Sequence, residues 1–237
     1  YTNQLRDFTR AASRTIGEDT SSLTPDVFAR AKRNNAARYN AVTDNNSMLF
    51  DTSLAKRLAD LKQEAKDYAD DKVQGEISRV TKRIFDQIDP ETGMLPGEAY
   101  QSIMSNIGQI TKNGGESARY LGDLRSSLRN AMDRSISPAD SAEWAVANQT
   151  HGNLRTLRDL VGKAEANDGI ISPALLMGRV ASSNAGKESL ATGNGNALAE
   201  LAAIGQRIKP PPTSGTAENI LSGGVFNPVN WPAYGAG

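Results

Sequence analysis

The chain has 237 residues with zero formal net charge (27 Lys plus Arg against 27 Asp plus Glu), 38% hydrophobic and 5% aromatic residues, one histidine and no cysteine. Balanced charge leaves no global field to draw the chain onto nucleic acid or an anionic membrane, and this composition excludes disulfides, thiolate chemistry and multi-histidine metal centres. The lean apolar content argues against one thick core and for an elongated chain that covers its remaining apolar surface with other subunits.

The N-terminal YTNQLRDFTRAASR has no charged start, apolar centre or cleavage signature, so it is not read as a secretion signal. No stretch is apolar enough to span a bilayer. A first residue other than Met and an end in AYGAG lead us to expect a piece of a longer protein.

Apolar residues recur at helical spacing nearly throughout, whereas alternating runs are scarce, which predicts an all-α fold. Leu5, Phe8, Ala12 and Ile16 make a first stripe, stopped by Gly17. Thr24 and Pro25 form an N-cap and N1 pair for a second helix running to about Val42. From Asp51 or Thr52, the positions Leu54, Leu58, Leu61, Ala65 and Tyr68 alternate steps of four and three, the seam of a coiled coil. Val73, Ile77, Val80 and Ile84 extend it as one long helix or two collinear pieces, with Gly75 as a candidate bend. The turn DPETG breaks the chain near Pro90, and a new helix starts at Pro96 with Tyr100, Ile103, Ile107 and Ile110. It closes at the NGG of 113–115. The next stripe holds Leu121, Leu124, Leu128 and Ala131. Ser137 and Pro138 cap a second long helix carrying Trp144, Ala147, Leu154, Leu157 and Val161. Ser172 and Pro173 repeat that chemistry, and NAGKESLATGNGN reads as a loop before a last helix with Leu198, Leu201, Ile204 and Ile208. KPPPTSG is an extended spacer, followed by an irregular arm with Phe226, Trp231 and Tyr234.

The expectation is therefore an elongated multi-helix bundle with a coiled-coil segment and a Gly/Pro-rich C-terminal arm. Its parts are a helical and coiled-coil region 1–89, a helical bundle 90–209 and an arm 210–237.

Little in the sequence points to reaction chemistry. Arg6, Arg10 and Arg14 fall four residues apart and would form a basic stripe suited to phosphate contacts, though a solvated face paired with Asp and Glu explains them as simply. The KES at 187–189 resembles the Glu-Ser pair of lytic transglycosylases, but the Gly- and Gln-containing segment that should follow Glu188 is absent. His151 reads as a partly exposed bystander and Trp144 as packing. GNGN lacks the Lys and Ser or Thr of a phosphate-binding loop. No catalytic, metal or cofactor site is expected. The seam from Leu54 to Tyr68 is the candidate assembly surface; its partner is either another copy or a neighbouring helix of the same chain.

The succession LPGEAYQSIMSNI, YLGDLRSSLRNAMDRS, AEWAVANQTHGNLRTL, GIISPALLMGRV and LAELAAIGQRIKPPPTSGTAE, from about Leu95 to Glu218, resembles a C-terminal region of phage and prophage DNA-transfer proteins, also described as ejection or internal virion proteins. The resemblance implies a non-enzymatic protein of the capsid interior or tail, delivered with the genome to form a conduit across the host envelope. Its implied partners are further copies of itself, the portal, tail or other ejection proteins, the host envelope and, by local contact, DNA. A fixed tail, tape-measure-like or scaffolding component is the alternative. Up to about Asp89 the likeness is only that both are helical.

Overall fold

The computed structural model describes residues 1–112, 114–193 and 196–208; the expected arm, 210–237, lies outside the described residues. The protein is all-α, 76% helical, with a single two-stranded sheet among the described residues. The first helices are α1 (Thr2–Arg14), α2 (Pro25–Asp44), α3 (Thr52–Tyr68) and α4 (Asp71–Gln87). They are followed by α5 (Gly97–Lys112), α6 (Glu116–Ser135) and the longest, α7 (Ser141–Glu165). Three short helices close the described chain: α8 (Pro173–Ala181), α9 (Asn184–Thr192) and α10 (Ala197–Gly205). Strands β1 (Ser47–Leu49) and β2 (Met94–Pro96) pair antiparallel, with Met48 opposite Leu95.

Local chemistry accounts for the helix starts. Side-chain oxygens of Thr24, Asp51 and Asp70 accept hydrogen bonds from the backbone N–H groups of Val27, Leu54 and Val73, satisfying donors that no helical carbonyl can reach. The Asp70 cap corrects the expected long rod. Ala69 and Asp70 are extended (φ −107°, ψ 156° and φ −70°, ψ 165°), so the chain turns there and α3 and α4 pack as a hairpin. Phe50, just before α3, accordingly meets Phe85, near the end of α4, with ring centroids 5.3 Å apart. Gly75 lies inside α4 without breaking it.

The reversal decides what covers the seam. Leu54, Leu58, Leu61 and Ala65 are no more than 2% exposed, in one core with Val73, Ile77, Val80 and Ile84 of α4 and Leu121, Leu124 and Leu128 of α6. The partner of the stripe is thus within the chain, and these four residues offer no assembly surface. Tyr68, the fifth, stands 80% exposed at the end of α3. A stripe this short gains more from the α4 stripe brought alongside by a tight turn than from a second molecule, whose capture costs association entropy.

A second core joins Phe8 and Ala12 of α1 and Ile16 in the turn after it to Leu157, Leu160 and Ala164 of α7, Leu176 and Val180 of α8, and Leu198 and Ala202 of α10. Helices α2 and α7 run through both cores: Ala31 belongs to the second and Val42 to the first, just as Leu154 and Trp144 do on α7. The boundary expected at 89/90 therefore falls inside the first core, where β1 and β2 pair across it. Asn46 reinforces the joint. Its Nδ2 donates to the Val42 carbonyl (2.7 Å) and to Asp140 Oδ2 (2.8 Å), and its Oδ1 accepts from the Ser137 N–H (2.8 Å).

Two local expectations also shift. Ser137 and Pro138 form a turn ahead of α7 rather than its first residues, with Ser137 Oγ accepting from the Asp140 N–H at 3.2 Å. The segment read as a loop after α8 contains α9, started by Ser183, whose Oγ accepts from the Gly186 N–H at 3.0 Å.

Candidate functional site

Helix α2 packs chiefly on α7, and α5 on α6; between the two pairs a cleft of about 190 Å³ opens. Trp144, Asn148, His151 and Arg155 follow one another on α7 at steps of four, three and four, which sets them along one face. Arg125 and Arg129 lie one turn apart on α6, beside the core-facing Leu124 and Leu128. Tyr39 comes from α2, and Tyr100 and Met104 from α5. The Arg125 guanidinium passes beside Gly108 of α5, its Nη1 at ordinary contact distance, 3.8 Å, from where a Cβ would stand.

The walls are held by hydrogen bonds and ring contacts. Tyr39 Oη donates to Asn148 Oδ1 at 2.6 Å, Trp144 Nε1 donates to Asp133 Oδ1 at 2.6 Å, and Gln101 Nε2 donates to Thr43 Oγ1. The Tyr39 ring meets Trp144 edge-on at 5.3 Å and His151 at 6.1 Å. Trp144 is thus packing, as expected, but its indole also lines the cleft. His151 is partly exposed, as expected, and its ring forms part of the wall.

What sets the cleft apart is unpaired positive charge drawn partly out of solvent. Several arginines elsewhere are neutralised, Arg30 by Glu18, Arg38 by Glu143, Arg57 by Glu64 and Asp123, Arg134 by Asp51, and others without an ion pair among the described residues, such as Arg6, Arg33, Arg79 and Arg207, stand exposed to water. Arg125, Arg129 and Arg155 form no ion pair among the described residues, and Arg125 Nε is buried without an acceptor. Burial, reinforced by the positive charges of Arg129 and Arg155, holds the Arg125 guanidinium below its usual pKa. Burial and then Arg129, Arg125 and Arg155 push His151 down to about 4, so its imidazole is neutral at physiological pH. Burial also raises the phenols, Tyr39 to about 12 and Tyr100 further.

The low His151 value has a measurable consequence. As pH falls below about 6.5 the unfolded chain takes up a proton that the folded chain refuses until about 4. Stability should therefore be lost across that window, by about 2 kcal/mol after allowing for solvent screening. Urea midpoints at pH 7 and 4.5 should converge in His151→Gln; an equal acid loss in wild type and variant would contradict this. A second consequence concerns Arg125. Replacing it with methionine removes an unpaired, half-buried cation while keeping its stem, and should raise stability by about 1 kcal/mol, read as a higher thermal midpoint.

The other sequence candidates do not converge on this cleft. Arg14 Nε donates to Asp19 Oδ1 at 3.0 Å, and Arg10 lies 3.3 Å from Asp7 Oδ1 and 3.8 Å from Asp19 Oδ1. Much of the charge expected to face phosphates is thus offset, although Arg6 pairs with no carboxylate among the described residues. Glu188 is exposed on α9. A larger groove, about 510 Å³, runs between α3 and α4, but Lys62, Lys66 and Gln63 give its rim flexible polar chains rather than a convergent set. Sequence reasoning missed Tyr39, Tyr100, Arg125 and Arg129. The available signal was two arginines one turn apart amid the leucines of RYLGDLRSSLRNAMDR. Comparison of the chain with family models, with curated proteins and with solved structures gave no match.

Proposed function

We propose that the chain is a non-enzymatic structural component of a phage virion, of the kind carried in the particle and delivered with the genome to help it cross the host envelope. Support comes from the ordered run of segments between Leu95 and Glu218, which supplies α5, α6, most of α7, α8 and α10. The fold gives several of its residues a physical task. Leu95 is fully buried, Pro96 pairs with Ser47 and Gly97 lies against the backbone of Thr43 and Asn46; Tyr100 walls the cleft, and Gln101 bonds Thr43.

Since the α3 seam is covered internally, contact with other copies or with portal, tail or other ejection proteins falls to exposed apolar residues. Leu49 and Met94 face each other across β1 and β2 at 44% and 42% exposure, and Phe85, 50% exposed, packs on the neighbouring Phe50. The test is quantitative mass spectrometry of purified particles before and after genome release. Presence in full particles and loss from emptied ones is the expected result. Retention after release would assign a fixed tail or tape-measure-like role, and absence from mature particles would overturn the proposal.

A further inference from the structure

We propose that the cleft between α2, α5, α6 and α7 binds a phosphate monoester on a flat apolar body, with the phosphate on Arg125 and Arg129 and the body against Trp144 and Met104. The inference goes beyond the virion reading and does not depend on it.

The first ground is an unexplained expense in the fold. A half-buried guanidinium with an orphaned Nε destabilises the molecule unless something completes it, and no carboxylate of the described chain does so. Local rule-breaking of this kind concentrates where a protein binds something. The second ground is geometry. Two guanidiniums one helical turn apart present planar forks of donors toward the same opening. The Tyr100 hydroxyl, which has no hydrogen-bond partner among the described residues, sits in the same wall.

Charge selects the class of oxyanion. Arg125 and Arg129 line the site, and the fields of Arg155, exposed on α7, and of the Asp133 carboxylate also reach it, while His151 is neutral. Three positive charges against one negative leave about two to be met. A carboxylate brings one; a phosphate monoester brings about 1.5 to 2 at neutral pH. The remaining walls, Trp144, Tyr39, Met104 and Ala36, are aromatic or aliphatic and suit a ring rather than a second polar group. At about 190 Å³ the cavity is smaller than the roughly 300–1,000 Å³ usual for ligand sites, so the body that enters is about the size of one ring.

The chain's single histidine lies in this wall, so its ring protons report occupancy without assignment. The experiment titrates the intact chain with phenyl phosphate, benzoate and inorganic phosphate at fixed ionic strength, following the His151 Hε1 resonance by proton NMR. Phenyl phosphate should shift it saturably, and a pH titration at saturation should show the imidazole pKa rising from about 4, because the bound anion offsets the arginine field. Benzoate and inorganic phosphate should each bind about tenfold more weakly or worse, lacking one charge or the ring. Arg125→Met and Arg129→Gln should each weaken phenyl phosphate by about tenfold or more. Both variants remove the charge but keep a good helix former at the position, and folding is checked by circular dichroism. No saturable shift in wild type, equal affinity for benzoate, or unchanged binding in both folded variants would each overturn the proposal.

Discussion

Gly97→Ala is expected to cost about 3 kcal/mol or more, enough to unfold much of the population of a protein of ordinary stability. A Cβ at this position would stand 2.0 Å from the Thr43 carbonyl oxygen and 2.5 Å from that of Asn46. Both obstacles are backbone, so neither can swing aside. They also belong to the end of α2 and the residue that bonds Val42, Asp140 and Ser137, so relief would have to displace the joint between the two cores. Gly162, inside α7 with nothing within 4 Å of its would-be Cβ, provides the contrast. There alanine should stabilise by about 0.5–1 kcal/mol through helix propensity alone. Urea denaturation of the two variants beside wild type reads both effects, and a Gly97→Ala protein as stable as wild type would refute the close approach.

Leu61→Ala carries the next largest effect. Leu61 is fully buried between α3, α4 and α6, and truncating a leucine in such a site costs roughly 2–5 kcal/mol through lost transfer energy and a residual cavity. Tyr68→Ala, on the same stripe but 80% exposed, should change stability by less than about 0.5 kcal/mol. The pair distinguishes a core from an interface. If the stripe were closed by another molecule, the urea midpoint of Leu61→Ala would depend on protein concentration and recover at high concentration. An internal seam gives a midpoint independent of concentration.

These two sites show what the sequence makes legible and what it conceals. The apolar stripes and the caps that precede a proline at Pro25 and Pro173 are readable, because the spacing of Leu54, Leu58, Leu61 and Ala65 and the Thr24–Pro25 and Ser172–Pro173 chemistry act over one or two helical turns. The partner of a stripe is a tertiary fact. It turned on Asp70, one acidic residue in the run KDYADDK, capping Val73 and reversing the chain. The three-residue strands are too short to show alternation, so their pairing across the expected 89/90 boundary left no periodic trace. In NAGKESLATGNGN the glycines suggested a loop, whereas Gly186 serves close packing: its Cβ would meet the Val180 carbonyl oxygen at 2.0 Å.

The cleft was the least legible feature. Each contributing pair is unremarkable alone: Arg125 and Arg129 look like one side of a solvated helix, and His151 like a stray imidazole. Their meaning depends on α2 and α5 delivering Tyr39 and Tyr100 to the same place, and on Arg125 and Arg129 being drawn partly out of solvent with no carboxylate of the described residues to pair with. Absence of a neutralising partner is a property of the folded arrangement, since acidic residues are as numerous as basic ones along the chain.

Hydrogen exchange of the purified chain, read amide by amide along Thr52–Tyr68 over a hundredfold range of dilution, bears most directly on whether each molecule seals its own stripes. Protection of the Leu54, Leu58, Leu61 and Ala65 amides should match that of the α6 core and stay constant on dilution. Protection that falls as the protein is diluted would mean that a second copy closes the seam, contradicting the fold described and returning α3 to the role of an assembly surface.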